Sequence, residues 1–401
     1  MCSGDLFDRF TPVSMCMVIS MKIFFFKDNF LILCVVLMLL FPSQTTRADE
    51  ISGYLSVTGP CNLEFPKDHG AHPGYRTEWW YYTGNLQSES GNLYGFQLTF
   101  FRRQITPLGV DKRWPNPKSA WRTHQIYLAH AAVTDITGRQ HLQAEGIARS
   151  ALGISGVSQQ KEITRIFLKN WMAQISPSAH RLLVTASAFS YDLILKPKKA
   201  PVMHGRHGYS LKGSTPDRAS CYYSFTRLEA EGNISIGGKT LEVKGLAWMD
   251  HEFSTAPLEH GLVGWDWFGL QLSDGSEVMA YMLRQEDGSI SRSSEGTFID
   301  SSGKSHRLHK EDIQITVLDT WKSSRSNTHY PARWRMRILP LSMNLIITPN
   351  LSDQEMRTFE STGITYWEGS VGVSGTAERS VIEGKGYVEL TGYAKPFDAP
   401  M

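Results

Sequence analysis

Along most of the chain after residue 49, apolar and polar residues alternate with a period of two. Tyr94, Phe96, Leu98 and Phe100 alternate with Gly95, Gln97 and Thr99. Phe268, Leu270 and Leu272 alternate with Gly269 and Gln271 and run into Asp274-Gly275, a hairpin dipeptide. Leu193 and Leu195 lead to Pro197, and Ile236-Gly237-Gly238-Lys239 turns into Leu241-Glu242-Val243. Successive side chains of a strand point to opposite faces, so this pattern predicts strands with one buried face. Helical periodicity is weak; residues 161–172 fit a short helix or another strand equally well. Residues around Pro115 and Pro117, and segments 196–213 and 323–331, read as loops.

Several of these segments occur twice, in the same order. Trp80-x-Tyr82-x-Gly84 matches Trp265-x-Trp267-x-Gly269, and YDLILKP (191–197) matches MNLIITP (343–349). YSFTRLEAEG (223–232) loosely matches YWEGSVGVSG (366–375), and KGLAWMDHEF (244–253) matches KGYVELTGY (385–393). An internal duplication is therefore expected, giving an all-β chain of two antiparallel barrels or sandwiches, 49–257 and 258–401. In the last match Asp250-His251-Glu252 stands against Thr391-Gly392-Tyr393. A titratable triplet in one copy and a neutral one in the other predicts two scaffolds with one working site.

The first 48 residues belong to neither half. Lys22 and Lys27 precede an apolar run from Phe30 to Phe41, then Pro42 and a polar stretch to Thr46-Arg47-Ala48. This is the pattern of a secretory signal cleaved before Asp49, with Met15 or Met21 as the natural start. The apolar run is too short for a spanning helix, which needs roughly 20 residues. Export to the periplasm or beyond is expected. Cys2, Cys16 and Cys34 leave with the leader; Cys61 and Cys221 remain, either as a disulfide in an oxidising compartment or as two buried thiols. The leader carries four basic and three acidic residues, so the net charge of +2 falls to about +1 in the mature chain. A nearly balanced surface without a basic run argues against a nucleic-acid partner.

Two clusters can carry chemistry. Glu78, Trp80 and Tyr82 share one face of a strand, with Trp79 and Tyr81 on the other. A carboxylate beside large aromatics is either a surface group or an acid in an apolar cavity, where burial would keep it protonated. In the second cluster Trp248, Asp250 and Glu252 share a face while His251 looks the other way, and Trp265-Asp266-Trp267 follows closely. Such a set can hold one group protonated as an acid and another ionised as a base, or it can form a polar rim. His69-x-x-His72 and His204-x-x-His207 lie in loop-like segments without a helical HExxH arrangement, so no metal is expected. Neither a Gly-rich phosphate cradle nor a Gly-x-Ser-x-Gly elbow is present, and the pattern asks for no cofactor.

Together, DHGAHPGYRTEWWYYTGNL (68–86), PVMHGRHGYSLKG (201–213), YYSFTRL (222–228), GLAWMDHEF (245–253) and GKGYVELTGY (384–393) resemble the AttH-like and carotenoid 1,2-hydratase (CrtC-type) proteins across nearly the whole mature chain. The resemblance implies two lipocalin-like, calycin-type antiparallel β-barrels and a lipophilic ligand, an isoprenoid or another lipid. Hydratases of this type add water across a terminal isoprenoid double bond. Secreted AttH-like members are described as hydrolases, and some are encoded beside ABC-transporter components, which implies a transporter or lipoprotein export system as partner. For an enzyme, Asp250 or Glu252 would be the acid and His251 or Asp266 the water-orienting base. Trp80, Trp265, Trp267 and Tyr281 would line the site, with Glu78, Trp79, Tyr82 and Trp248 as further ligand-binding residues. The alternative is a non-catalytic lipid carrier whose acidic residues are structural hydrogen-bond partners.

Overall fold

The computed structural model describes residues 53–397 apart from 117, 118 and 257; the leader lies outside the described residues. The described residues are all-β, with two antiparallel sheets inside one compact unit. The first sheet begins with β1 (Thr77–Ser88), β2 (Leu93–Gln104), β3 (Gln125–Asp135), β4 (Gln140–Arg149), β5 (Ser155–Gln160) and β6 (Ile163–Leu168). It continues with β7 (Trp171–Ile175), β8 (His180–Thr185), β9 (Phe189–Pro197), β10 (Val202–Met203), β11 (Tyr209–Leu211), β12 (Ala219–Ile236) and β13 (Lys239–Ser254). The second sheet holds β14 (Leu262–Leu272), β15 (Glu277–Gln285), β16 (Glu295–Ile299), β17 (Ser305–His309) and β18 (Ile313–Lys322). Its remaining strands are β19 (His329–Ile338), β20 (Met343–Pro349), β21 (Glu355–Thr358), β22 (Ile364–Ala377) and β23 (Ser380–Leu390).

Neighbours in the first sheet run β4-β3-β2-β1-β13-β12-β9-β8-β7-β6-β5, and in the second β17-β16-β15-β14-β23-β22-β20-β19-β18. Nine strands follow the same order in both. β6 packs against β3 and β4, so the first sheet curls back on itself. The segment 161–172 is a hairpin: β6 and β7 meet at Leu168 and Trp171 across a two-residue turn in which Lys169 has a φ of 55°. Asp274-Gly275 turns β14 into β15, with Gly275 at a φ of 84°.

Period-two patterning gives each sheet two apolar faces with different destinations. One face of the first sheet closes over Trp80, Tyr82, Phe96, Leu98 and Met249, and one face of the second over Phe268, Leu270, Trp334 and Trp367. The other faces meet each other through Tyr81, Tyr222, Trp248, Trp267, Tyr281 and Tyr387. Polar cross-links fix the meeting. Gln271 Nε2 donates to the carbonyls of Thr226 (2.8 Å) and Ala247 (2.9 Å), and Asn85 Nδ2 donates to the Gly386 carbonyl at 3.1 Å. A bulge in β12 between Phe225 and Leu228 breaks the ladder at Thr226 and Arg227. Such bulges re-aim side chains, and here Arg227 Nε reaches Glu277 of the second sheet at 2.5 Å.

The internal match needs one correction. Trp80 and Tyr82 point into the interior of the first sheet, whereas Trp265 and Trp267 lie on the face that meets it. Pairing shows why: Gly84 stands opposite Ala247, but Gly269 stands opposite Tyr387, the neighbour of Val388, which occupies the interior position. A one-residue slip moves every side chain to the other face. Gly269 has its own reason to be glycine, because a Cβ there would come within 2.3 Å of the Trp267 ring, which lies over it.

Candidate functional site

Where the two outer faces meet, they enclose a cavity of about 160 Å³. The first sheet contributes Trp79 and Tyr81 from β1 and Tyr222 from β12. From β13 come Asp250 and Glu252, which stand directly opposite Tyr81 and Trp79. The second sheet contributes Trp265 and Trp267 from β14, Tyr281 from β15, Tyr366 and Glu368 from β22 and Glu389 from β23. Half-buried Ala256, Leu258, Thr362, Ile364 and Phe397 form the mouth.

Asp250 is only 4% exposed, yet it lines this space. Its Oδ1 accepts from Trp248 Nε1 at 2.6 Å and from the Ser224 hydroxyl, and its Oδ2 accepts from the Tyr222 hydroxyl at 2.8 Å. Trp267 Nε1 donates in turn to the Tyr222 oxygen at 3.0 Å, tying the second sheet to the carboxyl. Behind Ser224, His204 Nε2 lies 2.6 Å from its hydroxyl and His204 Nδ1 lies 2.9 Å from that of Thr297. Burial raises the Asp250 pKa to about 7; the Ser224, Trp248 and Tyr222 donors pull it down, and the Glu252 charge pushes it up. The group is thus poised to be either acid or base at neutral pH. Glu252 is ion-paired: its Oε1 lies 3.2 Å from Lys212 Nζ, off the hydrogen-bond direction. The same ammonium stacks on the Tyr281 ring, 3.7 Å from its centroid.

The second sheet supplies acids that the sequence match does not reveal. Glu368 and Glu389 stand directly opposite each other on β22 and β23. Burial and the facing Glu389 charge push the Glu368 carboxyl well up, while the Tyr81 and Tyr366 hydroxyls favour its ionised form. Burial likewise raises Glu389, against the Trp265 indole and with help from the Asp250 and Glu252 charges. Tyr366 continues the wall toward β3, its hydroxyl 2.9 Å from the Nδ1 of buried His130, which lines the same cavity. The second sheet therefore brings acids of its own to the cavity. The available sequence signal is two carboxylates alternating with aromatics, Tyr366-x-Glu368 and Tyr387-x-Glu389.

The other expected site residues lie elsewhere. His251 faces the interior of the first sheet, as its strand position requires, and Glu78, Trp80 and Tyr82 are there with it. Glu78 Oε1 lies 2.8 Å from His251 Nε2 and 2.6 Å from His72 Nδ1, and its Oε2 accepts from Arg102 Nε at 2.6 Å. Burial alone would raise the Glu78 pKa, but Arg102 and the two histidines outweigh it and hold the carboxylate ionised. Asp266 points to the interior side of the second sheet, bound by Arg284 Nε at 2.9 Å and the Tyr393 hydroxyl at 3.0 Å. Neither Glu78 nor Asp266 is thus within the cavity that holds Asp250 and Glu252. The expected bases His251 and Asp266 face away because each is one residue out of step with the positions on its strand that form the wall. His72, Glu78 and His251 bring three ligand atoms within 4.8 Å of one another. Their free nitrogens are taken up by Asp68 and Tyr223, and the Arg102 guanidinium already neutralises the carboxylate, so the donor set fits an ion-pair network better than a cation.

The model of the AttH-like family matches residues 56–393. The chain belongs to the AttH-like family. A crystal structure described as a putative AttH from Nitrosomonas europaea is 32% identical, covers 84% of this chain and 99% of its own, and superposes with a TM-score of 0.74. Kievitone hydratase from Nectria haematococca shares the fold at 15% identity, over 85% of this chain and 96% of its own, with a TM-score of 0.63. No curated protein sequence matches the chain. The fold of this AttH-like chain is thus one that a hydratase also adopts.

Proposed function

We propose that this AttH-like protein takes one end of a long apolar alkene, an acyclic isoprenoid or similar lipid, into the cavity between its sheets and adds water across the terminal double bond. The observation that carries this is Asp250, a buried carboxyl with a pKa near 7 in an aromatic-walled space. A cavity of about 160 Å³ compares with one known to hold benzene, so it suits a terminal prenyl group rather than a whole lipid. Hydrating an unactivated alkene needs an acid strong enough to deliver a proton and surroundings that stabilise a tertiary cation. Protonated Asp250 supplies the first, and the faces of Trp79, Tyr81, Trp265 and Trp267 supply the second. The Tyr222, Ser224 and Trp248 donors are worth most when Asp250 is ionised, so they stabilise the group as its proton leaves.

Export to the periplasm or beyond, with handover of lipid from a transporter system, belongs to the same reading. The leader supports export, and so does the Cys61–Cys221 disulfide, whose Cα atoms are 5.9 Å apart, because such bonds persist in oxidising compartments. Incubating the mature protein with an acyclic isoprenoid in ¹⁸O-labelled water tests the chemistry. A labelled tertiary alcohol formed by the wild type but not by Asp250→Asn supports hydration. Probe that is bound and released unchanged by both proteins supports the carrier alternative.

A further inference from the structure

Hydration needs a second group, one that holds the attacking water and accepts its proton, and the bases expected from the sequence face away from the cavity. Resting on the hydration reading, we infer that Glu368 and Glu389 share one proton as a pair and act as that base, on the wall across from Asp250.

Like-charged residues directly opposite on neighbouring strands are destabilising, and burial makes this worse because both ionised forms lose their hydration. Glu368 is 3% exposed and Glu389 half-buried, and among the described residues neither carboxyl has a lysine or arginine partner. Two such groups avoid double ionisation by sharing a proton, which leaves one carboxylate and one acid in place. The other acids are already committed. Lys212 holds Glu252, Arg307 holds Glu295, Arg284 holds Asp266 and Arg102 holds Glu78. On the cavity wall, apart from the acid Asp250, the pair is the carboxylate that no cation holds among the described residues.

A second observation points to an occupant with hydrogen-bonding capacity. Glu368 Oε1 and the Tyr81 hydroxyl are both buried and make no hydrogen bond of normal length, although both residues line the cavity. The two face each other beyond normal hydrogen-bond length, so a water molecule between them would satisfy both. Trp267 lies between acid and base, directly opposite Glu389 in the ladder and linked through the Tyr222 hydroxyl to Asp250. A cation formed over this ring would meet the Asp250 carboxylate on one side and the water held by the pair on the other.

The step balances without any further reactant. The Asp250 proton forms a C–H bond at the less substituted alkene carbon and the π pair is consumed, leaving a tertiary cation. Water forms the C–O bond, and its proton passes to the ionised member of the pair. The pair then returns a proton through cavity water to Asp250. The net change is one water added.

Squalene in detergent micelles, incubated in D₂O with the disulfide-intact mature protein, separates the two steps. Protonation by Asp250 followed by loss of a proton puts deuterium into recovered alkene; only capture of the cation by water gives the alcohol. In Glu368→Gln and Glu389→Gln, the expected result is alcohol formation down by about 10²-fold or more with deuterium still entering the alkene. Glu389→Asp, which keeps a carboxylate, should restore part of the alcohol. Undiminished alcohol in both glutamine variants would overturn the base role, and so would equal loss of deuterium and alcohol in correctly folded variants. A wild type that yields neither product would instead sink the hydration reading and the base role with it.

Discussion

Replacing Asp250 by asparagine removes a single titration from the centre of the cavity while keeping the shape of the side chain. In the wild type the carboxyl rises from an ordinary 3.8 to about 7 on folding, chiefly through burial. That difference is worth roughly 4 kcal/mol at 1.36 kcal/mol per pH unit. A folded-state pKa above the unfolded one means that the native protein binds the extra proton between those two values. The stabilisation it brings is therefore complete below about pH 4, shrinks as the pH rises, and is gone above about pH 7. The asparagine side chain does not titrate, so this loss disappears in the variant. Its amide still accepts from Trp248 and Ser224, and the Tyr222 hydroxyl can turn from donor to acceptor at a cost of about 1 kcal/mol. Urea unfolding of both proteins at pH 4, 6 and 8, with the disulfide intact, checks this. The variant should be slightly the less stable at pH 4 and should gain on the wild type by up to roughly 4 kcal/mol by pH 8. A stability difference that stays constant across this range would refute the assignment of a raised Asp250 pKa, and with it the acid.

Other perturbations have equally direct readouts. Glu78→Gln should destabilise the protein by about 3–5 kcal/mol in chemical denaturation, because Arg102 is left buried without its partner; alcohol formation per folded molecule should stay near wild type. Changing Cys61 and Cys221 to serine opens a cross-link spanning 160 residues and should cost about 5 kcal/mol in the chain-entropy model, read from the shift in urea midpoint. Glu389→Gln should lower the pKa of Glu368 by removing the facing charge, seen in infrared spectra as loss of a protonated carboxyl band at a lower pH than in wild type. N-terminal sequencing of exported protein should begin at Asp49; a mature chain beginning at Met1 or Met21 would contradict the leader.

The all-β character was legible because alternation is local: Tyr94 to Phe100 and Phe268 to Leu272 need no partner to be recognised as strands. The face shared by Trp248, Asp250 and Glu252 was legible for the same reason, and the structure places it on the cavity wall. What alternation cannot give is which of two apolar faces meets which neighbour. Glu78, Trp80 and Tyr82 share a face as expected, but that face closes over the interior of the first sheet. The Trp80–Trp265 match is offset by one residue from the ladder register, enough to put the second pair of aromatics on the other face. Glu368 and Glu389 were out of reach for a different reason. They are 21 positions apart and become neighbours only through the ladder of β22 and β23. Lys212, from a segment read as a loop, reaches Glu252 because short β11 pins it beside β12.

The central claim is that the cavity between the two sheets holds an apolar chain end. Mass spectrometry of an organic extract of the purified mature protein, beside the same extract from Ala256→Trp, tests it most directly. Ala256 is a half-buried residue of the mouth, so an added indole there competes for the space. The expected result is an unsaturated apolar compound near one equivalent in the wild type, together with its water adduct, and a strong reduction of both in the folded variant. An equal amount of bound compound in the two proteins would place it elsewhere in the molecule and contradict the claim.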